Sequence, residues 1–129
     1  MSIKEQLAVA RAGLERVSAH AAAAAHDDGA LLIDIRPVHQ RAADGEIPGA
    51  LVIDRNVLEW RLDPVSPDRI PQVRDHDQTV ILFCDEGYAS SLAAASLQAV
   101  GLDRATDLDG GYQAWVAAGF PTTAPFSAR

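Results

Sequence analysis

Short apolar runs alternate along the chain with stretches whose apolar residues have helical spacing. Four short runs predict buried strands, at residues 31–35, 51–53, 79–83 and 105–108. The predicted helices cover residues 3–17, 20–26, 37–43, 57–61, 88–100 and 112–118. Strands that alternate with helices at this spacing favour an α/β fold, in which a mostly parallel sheet has helices on both faces.

The helix predicted over 3–17 rests on a single apolar face, formed by Ile3, Leu7, Ala10, Leu14 and Val17. Ser18 is of the residue type that caps a helix N-terminus, and it precedes an alanine-rich stretch that Gly29 ends. Alanine is the best helix former, so we interpret this stretch as a packed helix and not as low-complexity sequence. Residues 54–78 are polar and interrupted by prolines, and they predict loops with one short helix.

Length and composition fit one folded domain. The chain has 129 residues, of which 48% are hydrophobic and 22% are charged, and these values exclude wholesale disorder. The net charge of −7 gives a surface that repels phosphate groups, so we expect neither general nucleic-acid binding nor docking on anionic lipid. No apolar run approaches the ~20 residues of a membrane-spanning helix.

One cysteine and four histidines limit the chemistry that the chain offers. A single cysteine excludes an internal disulfide and fits a reducing cytosol. The first residues also lack the basic-then-apolar order of a signal peptide, so we expect a cytoplasmic protein. We expect no metal site, because none of the histidines has a metal-ligand spacing. They are His20, His26, His39 and His76.

The single cysteine, Cys84, directly follows the apolar run at 79–83, and a predicted helix begins four residues later. In open parallel sheets, ligands bind at the carboxyl ends of the strands. Gly87 allows a sharp turn, by which backbone N–H groups can converge on one point. A thiolate at that point gains from the N–H donors and from the helix dipole, so we interpret Cys84 as a nucleophile.

Four motifs in register resemble those of one family. The pattern Cys84-x-x-Gly87-x-x-Ser90 after an apolar strand resembles the active-site loop of rhodanese-like sulfurtransferases. Segments 32–36 (LIDIR), 45–50 (GEIPGA) and 109–115 (DGGYQAW) are similar to that family's first strand, its turn and the start of its last helix. The resemblance divides the chain into an extra N-terminal helix at 1–17, a rhodanese-like domain at 18–122 and a tail at 123–129.

The resemblance implies a sheet of about five strands and a cysteine that cycles through a persulfide. The Cys84 thiolate would take the outer sulfur of a donor, and a small thiol or a protein cysteine would then accept that sulfur. No metal or organic cofactor is implied, since the covalent persulfide on Cys84 is itself the intermediate. Residues 1–17 lie outside the resemblance, and we expect them to form a helix packed on the domain or a homodimer contact.

The loop departs from the family's pattern at Ala89, where many members carry an arginine that helps to hold an anionic donor such as thiosulfate. Asp85 and Glu86 add two carboxylates, which would disfavour both the thiolate and a dianionic substrate if they faced the pocket. We expect at least one of them to face solvent, and we question thiosulfate as the donor. The predicted substrate-binding residues of the loop are Asp85, Glu86, Gly87, Tyr88, Ala89 and Ser90.

Two arginines outside the loop are candidates to replace the missing one. Arg55 and Arg61 lie in the segment after the second predicted strand, which in this fold lies near the active-site edge. Arg36, together with Asp34, is instead interpreted as a structural ion pair or loop brace at a strand end.

Two other functions stay open. A non-catalytic module of the same fold would bind a partner through this loop. Ala89 and the acidic pair favour that alternative, whereas the retained Cys84 argues against it. Phosphatases and arsenate reductases of related fold carry Cys-x5-Arg, but here Ser90 is the sixth residue after Cys84, so the loop has no guanidinium to bind phosphoryl oxygens. Cysteine reactivity tests the first alternative and phosphate-ester turnover the second.

Overall fold

A computed structural model describes residues 1–128 and shows an α/β fold with one parallel sheet. The helices are α1 (Ile3–Ala12), α2 (Ala19–Asp27), α3 (Val38–Asp44), α4 (Leu58–Leu62), α5 (Ala89–Ala99) and α6 (Gly111–Ala117). The strands are β1 (Leu31–Asp34), β2 (Leu51–Val52), β3 (Val80–Phe83) and β4 (Ala105–Asp107), and a single 3₁₀ turn (Arg55–Val57) precedes α4.

The sheet has the strand order β2-β1-β3-β4, and every neighbouring pair is parallel. Side chains alternate between its two faces. Ile33 and Leu82 pack on one face into a cluster that includes Leu97 of α5. Leu32 and Ile81 pack on the other face into a cluster shared with α2 and α6. Because both faces are covered, the strands are continuous apolar runs, which is why they can be found in the sequence.

The α/β fold with a parallel sheet is confirmed, and the sheet has four strands where about five were predicted. Val17 forms an isolated parallel bridge with Leu108 at the β4 edge, where a fifth strand would lie. Its N–H donates to the Asp107 carbonyl at 3.1 Å, and its carbonyl accepts from the Asp109 N–H at 2.8 Å. Ser18 then caps α2, with its hydroxyl accepting from the Ala21 N–H. The extended segment is therefore too short to count as a strand.

The helix predicted over 3–17 ends at Ala12, with Gly13 as its C-cap. Leu14 and Val17 still fit the helical spacing, but Leu14 packs on the core below α5 and Val17 pairs with the sheet edge. The segment is held from α5 as well, because the Gln98 side chain donates to the Gly13 carbonyl at 3.0 Å. The N-terminal residues thus pack along α5, while the proposed domain division at residue 18 stays a prediction.

The parallel strands bring the carboxyl ends of β1, β3 and β4 to one edge of the sheet. Cys84 follows β3 at this edge, and Asp34 and Asp107 are the last residues of its two neighbours. No helix among residues 1–128 is long and apolar enough to cross a membrane.

Candidate active site

Cys84 is half-buried at the end of β3, and its sulfur faces the first turn of α5. The backbone N–H groups of Gly87 and Ser90 point at Sγ, from 3.2 Å and 3.4 Å respectively. Donors in this arrangement stabilise a thiolate more than a neutral thiol. We call residues 84–90 the Cys84 loop.

Gly87 is required for the shape of this loop. Its φ of +90° is in the region that L side chains rarely adopt. A Cβ at this position would lie 2.9 Å from the Gly110 nitrogen and 3.1 Å from an Arg16 guanidinium nitrogen. The loop therefore passes close to two other segments of the chain, and only glycine fits between them.

A buried carboxylate lies behind the nucleophile. The Ser90 hydroxyl donates to Oδ2 of Asp107 at 2.7 Å, and Ser90 Oγ is 3.4 Å from Cys84 Sγ. Because an ionised carboxylate can only accept, the lone pairs of Ser90 Oγ are left for the thiol proton. Ser91 also donates to Asp107, at 2.8 Å. Both hydroxyls are thus fixed by one aspartate that is fully buried.

Arg16 balances the charge of Asp107. Its Nε lies 2.9 Å from Asp107 Oδ1, and its Nη1 lies 3.1 Å from Asp109 Oδ1. Burial lowers the pKa of Arg16, but the hydrogen bond to Asp107 and the attraction of Asp107, Asp109 and Cys84 outweigh it, so the pKa of Arg16 is raised overall. The guanidinium is consequently a fixed positive charge at the back of the Cys84 loop.

Cys84 opens into a surface cavity of about 350 Å³. Apolar side chains form much of its wall, and the full lining is Ile35, Arg36, Pro37, Gln40, Arg55, Cys84, Asp85, Glu86, Tyr88 and Ala89. Arg55 brings a guanidinium to the cavity, but both oxygens of Glu59 accept from its Nη1, at 2.9 Å and 3.0 Å. The cavity has room for a small thiol compound, and its positive charge is partly neutralised.

Four of the six predicted loop residues line this cavity, whereas Gly87 and Ser90 are buried beside Cys84. Asp85 accepts from the Gln113 side chain at 2.9 Å and is tied to α6. Glu86 is exposed, as is Tyr88, which keeps 59% of its surface accessible. Ala89 is the first residue of α5, where it adds no charge to the cavity wall.

The structure does not bring Arg61 to Cys84. Its Nη1 donates to the Asp68 carbonyl at 2.7 Å, and its own carbonyl accepts from the Ile70 N–H. Arg61 lines a separate cavity with residues 70–72. Spacing along the sequence could not reveal this, because the guanidinium is held by the proline-interrupted segment that follows α4.

Arg36 and Asp34 form the strand-end ion pair that was expected. Arg36 Nη2 lies 2.8 Å from Asp34 Oδ2, and both side chains are fully buried. Arg36 Nη2 also donates to the Gly45 carbonyl at 2.9 Å, and the guanidinium carbon lies 3.8 Å from the centre of the Tyr112 ring. The pair braces the β1 end of the site.

Sequence reasoning missed Asp107, Ser91 and Arg16 as parts of the site. The only local signal for Asp107 is its place at a strand end just before Gly110-Gly111. Arg16 has no local signal, since its ionic partner is 91 residues away. Among residues 1–128, no three His, Cys, Asp or Glu side chains cluster as a metal site.

Comparison with known proteins identifies the family to which the chain belongs. The sequence model of the rhodanese-like domain matches residues 18–118, and the chain belongs to that family. It is 35% identical over 101 residues to a sulfurtransferase of Allochromatium vinosum, covering 78% of this chain and 85% of that protein. It is also 34% identical to the thiosulfate sulfurtransferase GlpE of Stutzerimonas stutzeri, with 78% and 84% covered.

A solved structure from Rhodopseudomonas palustris CGA009 is similar over 95% of both chains, with 32% identity and a TM-score of 0.85. That protein is described as being of unknown function and as a possible tyrosine phosphatase. This structural similarity covers 95% of the chain, whereas the family model matches residues 18–118.

Proposed function

We propose that this protein is a sulfurtransferase that carries a sulfur atom as a persulfide on Cys84. The observation that carries the proposal is the position of Cys84 Sγ, which faces two backbone N–H groups and opens into a cavity. A nucleophile that must accept and then release a sulfur atom needs both features. The relatives named as sulfurtransferases support the same reaction class.

The reaction consists of two displacements at sulfur. The Cys84 thiolate attacks the outer sulfur of a donor R–S–SH, a Cys84 S–S bond forms, and the donor's S–S bond breaks with its electron pair leaving on R–S⁻. An acceptor nucleophile then attacks the outer sulfur of the Cys84 persulfide. The Cys84 S–S bond breaks, and the electron pair returns to Cys84 as the thiolate. No oxidant or reductant is consumed.

The cavity favours a persulfide of an organic thiol over thiosulfate as the donor. Thiosulfate carries two negative charges, whereas the cavity has apolar walls and an uncharged Ala89. Its exposed guanidinium, on Arg55, already pairs with Glu59 at 2.9 Å. Glu86 adds a negative charge to the rim. A donor with an apolar body and at most one charge fits these walls better.

A second apolar cavity of about 460 Å³ adjoins the first, and the two share Tyr88 and Ala89. Ile3, Leu7 and Leu92 contribute to its walls. We propose a small thiol or a protein cysteine as the acceptor, since either could place an apolar part there and its sulfur at Cys84. The homodimer and the cytoplasmic location stay predictions.

The test is the intact mass of the protein after incubation with a panel of donors under non-reducing conditions. The panel contains thiosulfate, polysulfide and the persulfide of a small thiol. We expect a gain of about 32 Da that is lost on reduction, fastest with the organic persulfide. Cys84→Ser should fold, as circular dichroism would show, and should gain no mass. A gain in Cys84→Ser, or no gain with any donor in the native protein, would refute the proposal.

The same samples discriminate the two other functions. The similarity to a possible tyrosine phosphatase calls for an assay with p-nitrophenyl phosphate, and we expect no turnover because the loop lacks an arginine. Turnover that depends on Cys84 would favour the phosphatase. A non-catalytic binding module would show neither turnover nor persulfide formation.

A further inference from the structure

Two arginines from the segment before the matched domain reach the Cys84 loop. Arg11 Nη2 donates to the Gly87 carbonyl at 2.7 Å, and Arg16 Nη2 donates to the same oxygen at 2.8 Å. Arg11 Nε also donates to Ser91 Oγ at 3.1 Å. Both arginines precede residue 18, where the match to the family begins.

We propose that Arg11 and Arg16 are positioning residues for Cys84, which clamp the Gly87 carbonyl and keep the Cys84 loop in the conformation that binds sulfur. The inference rests on the proposed sulfur transfer for its biological meaning. The effect that the clamp should have, a more reactive Cys84, can be measured without any sulfur donor.

The clamp fixes the orientation of the peptide bond between Gly87 and Tyr88. Residues 1–128 contain no cis peptide, so the Gly87 carbonyl and the Tyr88 N–H point in opposite directions. With the carbonyl held by two guanidiniums, the Tyr88 N–H points away from both of them. Within the described residues, the N–H groups of Glu86, Tyr88 and Ala89 donate no hydrogen bond to the chain. They are available to a second sulfur atom bound to Cys84.

The clamp also steadies the Gly87 N–H, which donates to Cys84 Sγ at 3.2 Å. Gly87 has no side chain to restrict its backbone, so it is the residue of the loop whose backbone can adopt the most conformations. Fixing its carbonyl from behind holds the Gly87 Cα in place, and this restricts movements of the loop that would take the N–H away from sulfur. The clamp therefore orients the Gly87 N–H, which donates to Cys84 Sγ, although neither arginine forms a hydrogen bond with Cys84 itself.

The two arginines also act through their positive charge. Arg16 carries a positive charge behind the Cys84 loop, and attraction by Cys84 is the smallest of the causes that raise its pKa. Arg11 lies over the Tyr88 ring, with its guanidinium carbon 5.6 Å from the ring centre. Two cations behind the loop offset the carboxylates of Asp85 and Glu86 in front of it.

The test is the rate at which iodoacetamide, an uncharged reagent, alkylates Cys84 between pH 6 and pH 10. Arg11→Gln is the main variant, because Arg11 does not pair with the buried Asp107. We expect neutral-pH alkylation to slow on the order of 3- to 10-fold, with the whole profile moved to higher pH. Arg16→Lys keeps the positive charge but lacks the forked donor geometry of the guanidinium. We expect alkylation to slow less in Arg16→Lys than in Arg16→Gln.

Arg41→Gln is the matched control. Arg41 is as buried as Arg16, with 15% against 16% of its side chain exposed, and its ion pair is with Glu46 at 3.1 Å. We expect its alkylation profile to equal that of the native protein. The inference is overturned if Arg11→Gln alkylates at the native rate, or if Arg41→Gln slows alkylation as much. Because alkylation needs no sulfur donor, a failure of persulfide formation leaves this result intact, and the two ideas fail separately.

Discussion

Ala89 decides how much positive charge the Cys84 cavity offers. It is the first residue of α5 and lines the cavity, so a longer side chain at this position would reach the bound donor. We predict that Ala89→Arg improves the use of thiosulfate. One charge-assisted hydrogen bond, at ~1.5–3 kcal/mol, would raise kcat/KM for thiosulfate about 10- to 100-fold. Steady-state kinetics with cyanide as the acceptor measures the change.

Ala99→Arg is the control for that prediction, because it makes the same change at the other, exposed end of α5. We expect native kinetics from it. Equal gains in both variants would mean that net charge alone attracts thiosulfate. No gain in Ala89→Arg would mean that the donor does not contact the sixth residue of the Cys84 loop.

Among single residues, those whose role is local could be predicted and those with distant partners could not. Cys84 and Gly87 stand out because a strand end, a glycine and a helix start are adjacent in the sequence. Arg16 reaches the site only because the chain pairs Val17 with Leu108. Arg61 fits the sequence argument as well as Arg55, yet the backbone carbonyl of Asp68 in another segment accepts from its guanidinium. Such pairings depend on tertiary packing that spacing does not encode.

Among elements, the buried strands were predicted best. The predicted β1, β3 and β4 are each one residue longer than in the structure. These strands could be found because a strand covered on both faces is a continuous apolar run. The predicted α1 was five residues too long, because Leu14 and Val17 are apolar for packing reasons that only the sheet edge explains. Helical periodicity predicts that a residue is buried, but it does not predict which part of the structure that residue packs against.

The contact between α4 and α5 gives a prediction about pH. Glu59 of α4 accepts a hydrogen bond from Ser96 of α5 and pairs with Arg55. Burial raises the pKa of Glu59, but the hydrogen bonds from Ser96, the backbone and Arg55, and the charge of Arg55, outweigh it, so the pKa of Glu59 is lowered below 4.5. Its stabilisation is therefore present above pH 4.5 and is lost as the pH falls through the folded-state pKa.

We expect Glu59→Gln to lower the free energy of unfolding by about 1 kcal/mol at pH 7 and by progressively less below pH 4.5. Urea denaturation at several pH values measures it, with the exposed Glu15→Gln as the control, for which a change within ~0.5 kcal/mol is expected. If the difference in the free energy of unfolding between Glu59→Gln and the native protein stayed constant down to pH 3, the charge of Glu59 would not be the cause of the stabilisation.

At the scale of the whole molecule, the C-terminal segment closes the fold around the end of α3. Thr123 exchanges two hydrogen bonds with Glu46, at 2.8 Å and 2.9 Å, and the Phe126 N–H donates to the Ala42 carbonyl at 2.9 Å. The Tyr112 hydroxyl donates to the Asp44 carbonyl at 2.6 Å. Gly45 lies between Asp44 and Glu46 in the chain, and its carbonyl accepts a hydrogen bond from the buried Arg36. The tail, α6 and the brace at the site therefore meet at one glycine.

Gly45→Ala tests whether this junction supports the whole fold. Gly45 has a φ of +84°, and a Cβ there would lie 2.1 Å from the Thr123 carbonyl oxygen, so the tail or the turn must move. Gly29→Ala is the matched control, because its φ of +101° carries a similar backbone cost while a Cβ there meets nothing within 4 Å. We expect urea denaturation to show that Gly45→Ala is less stable than Gly29→Ala by about 1–3 kcal/mol. Limited proteolysis should then cleave Gly45→Ala after residue 120 before it cleaves the control. Equal stability of the two variants would mean that the tail is displaced without cost, and that the fold depends on the sheet and its two clusters alone.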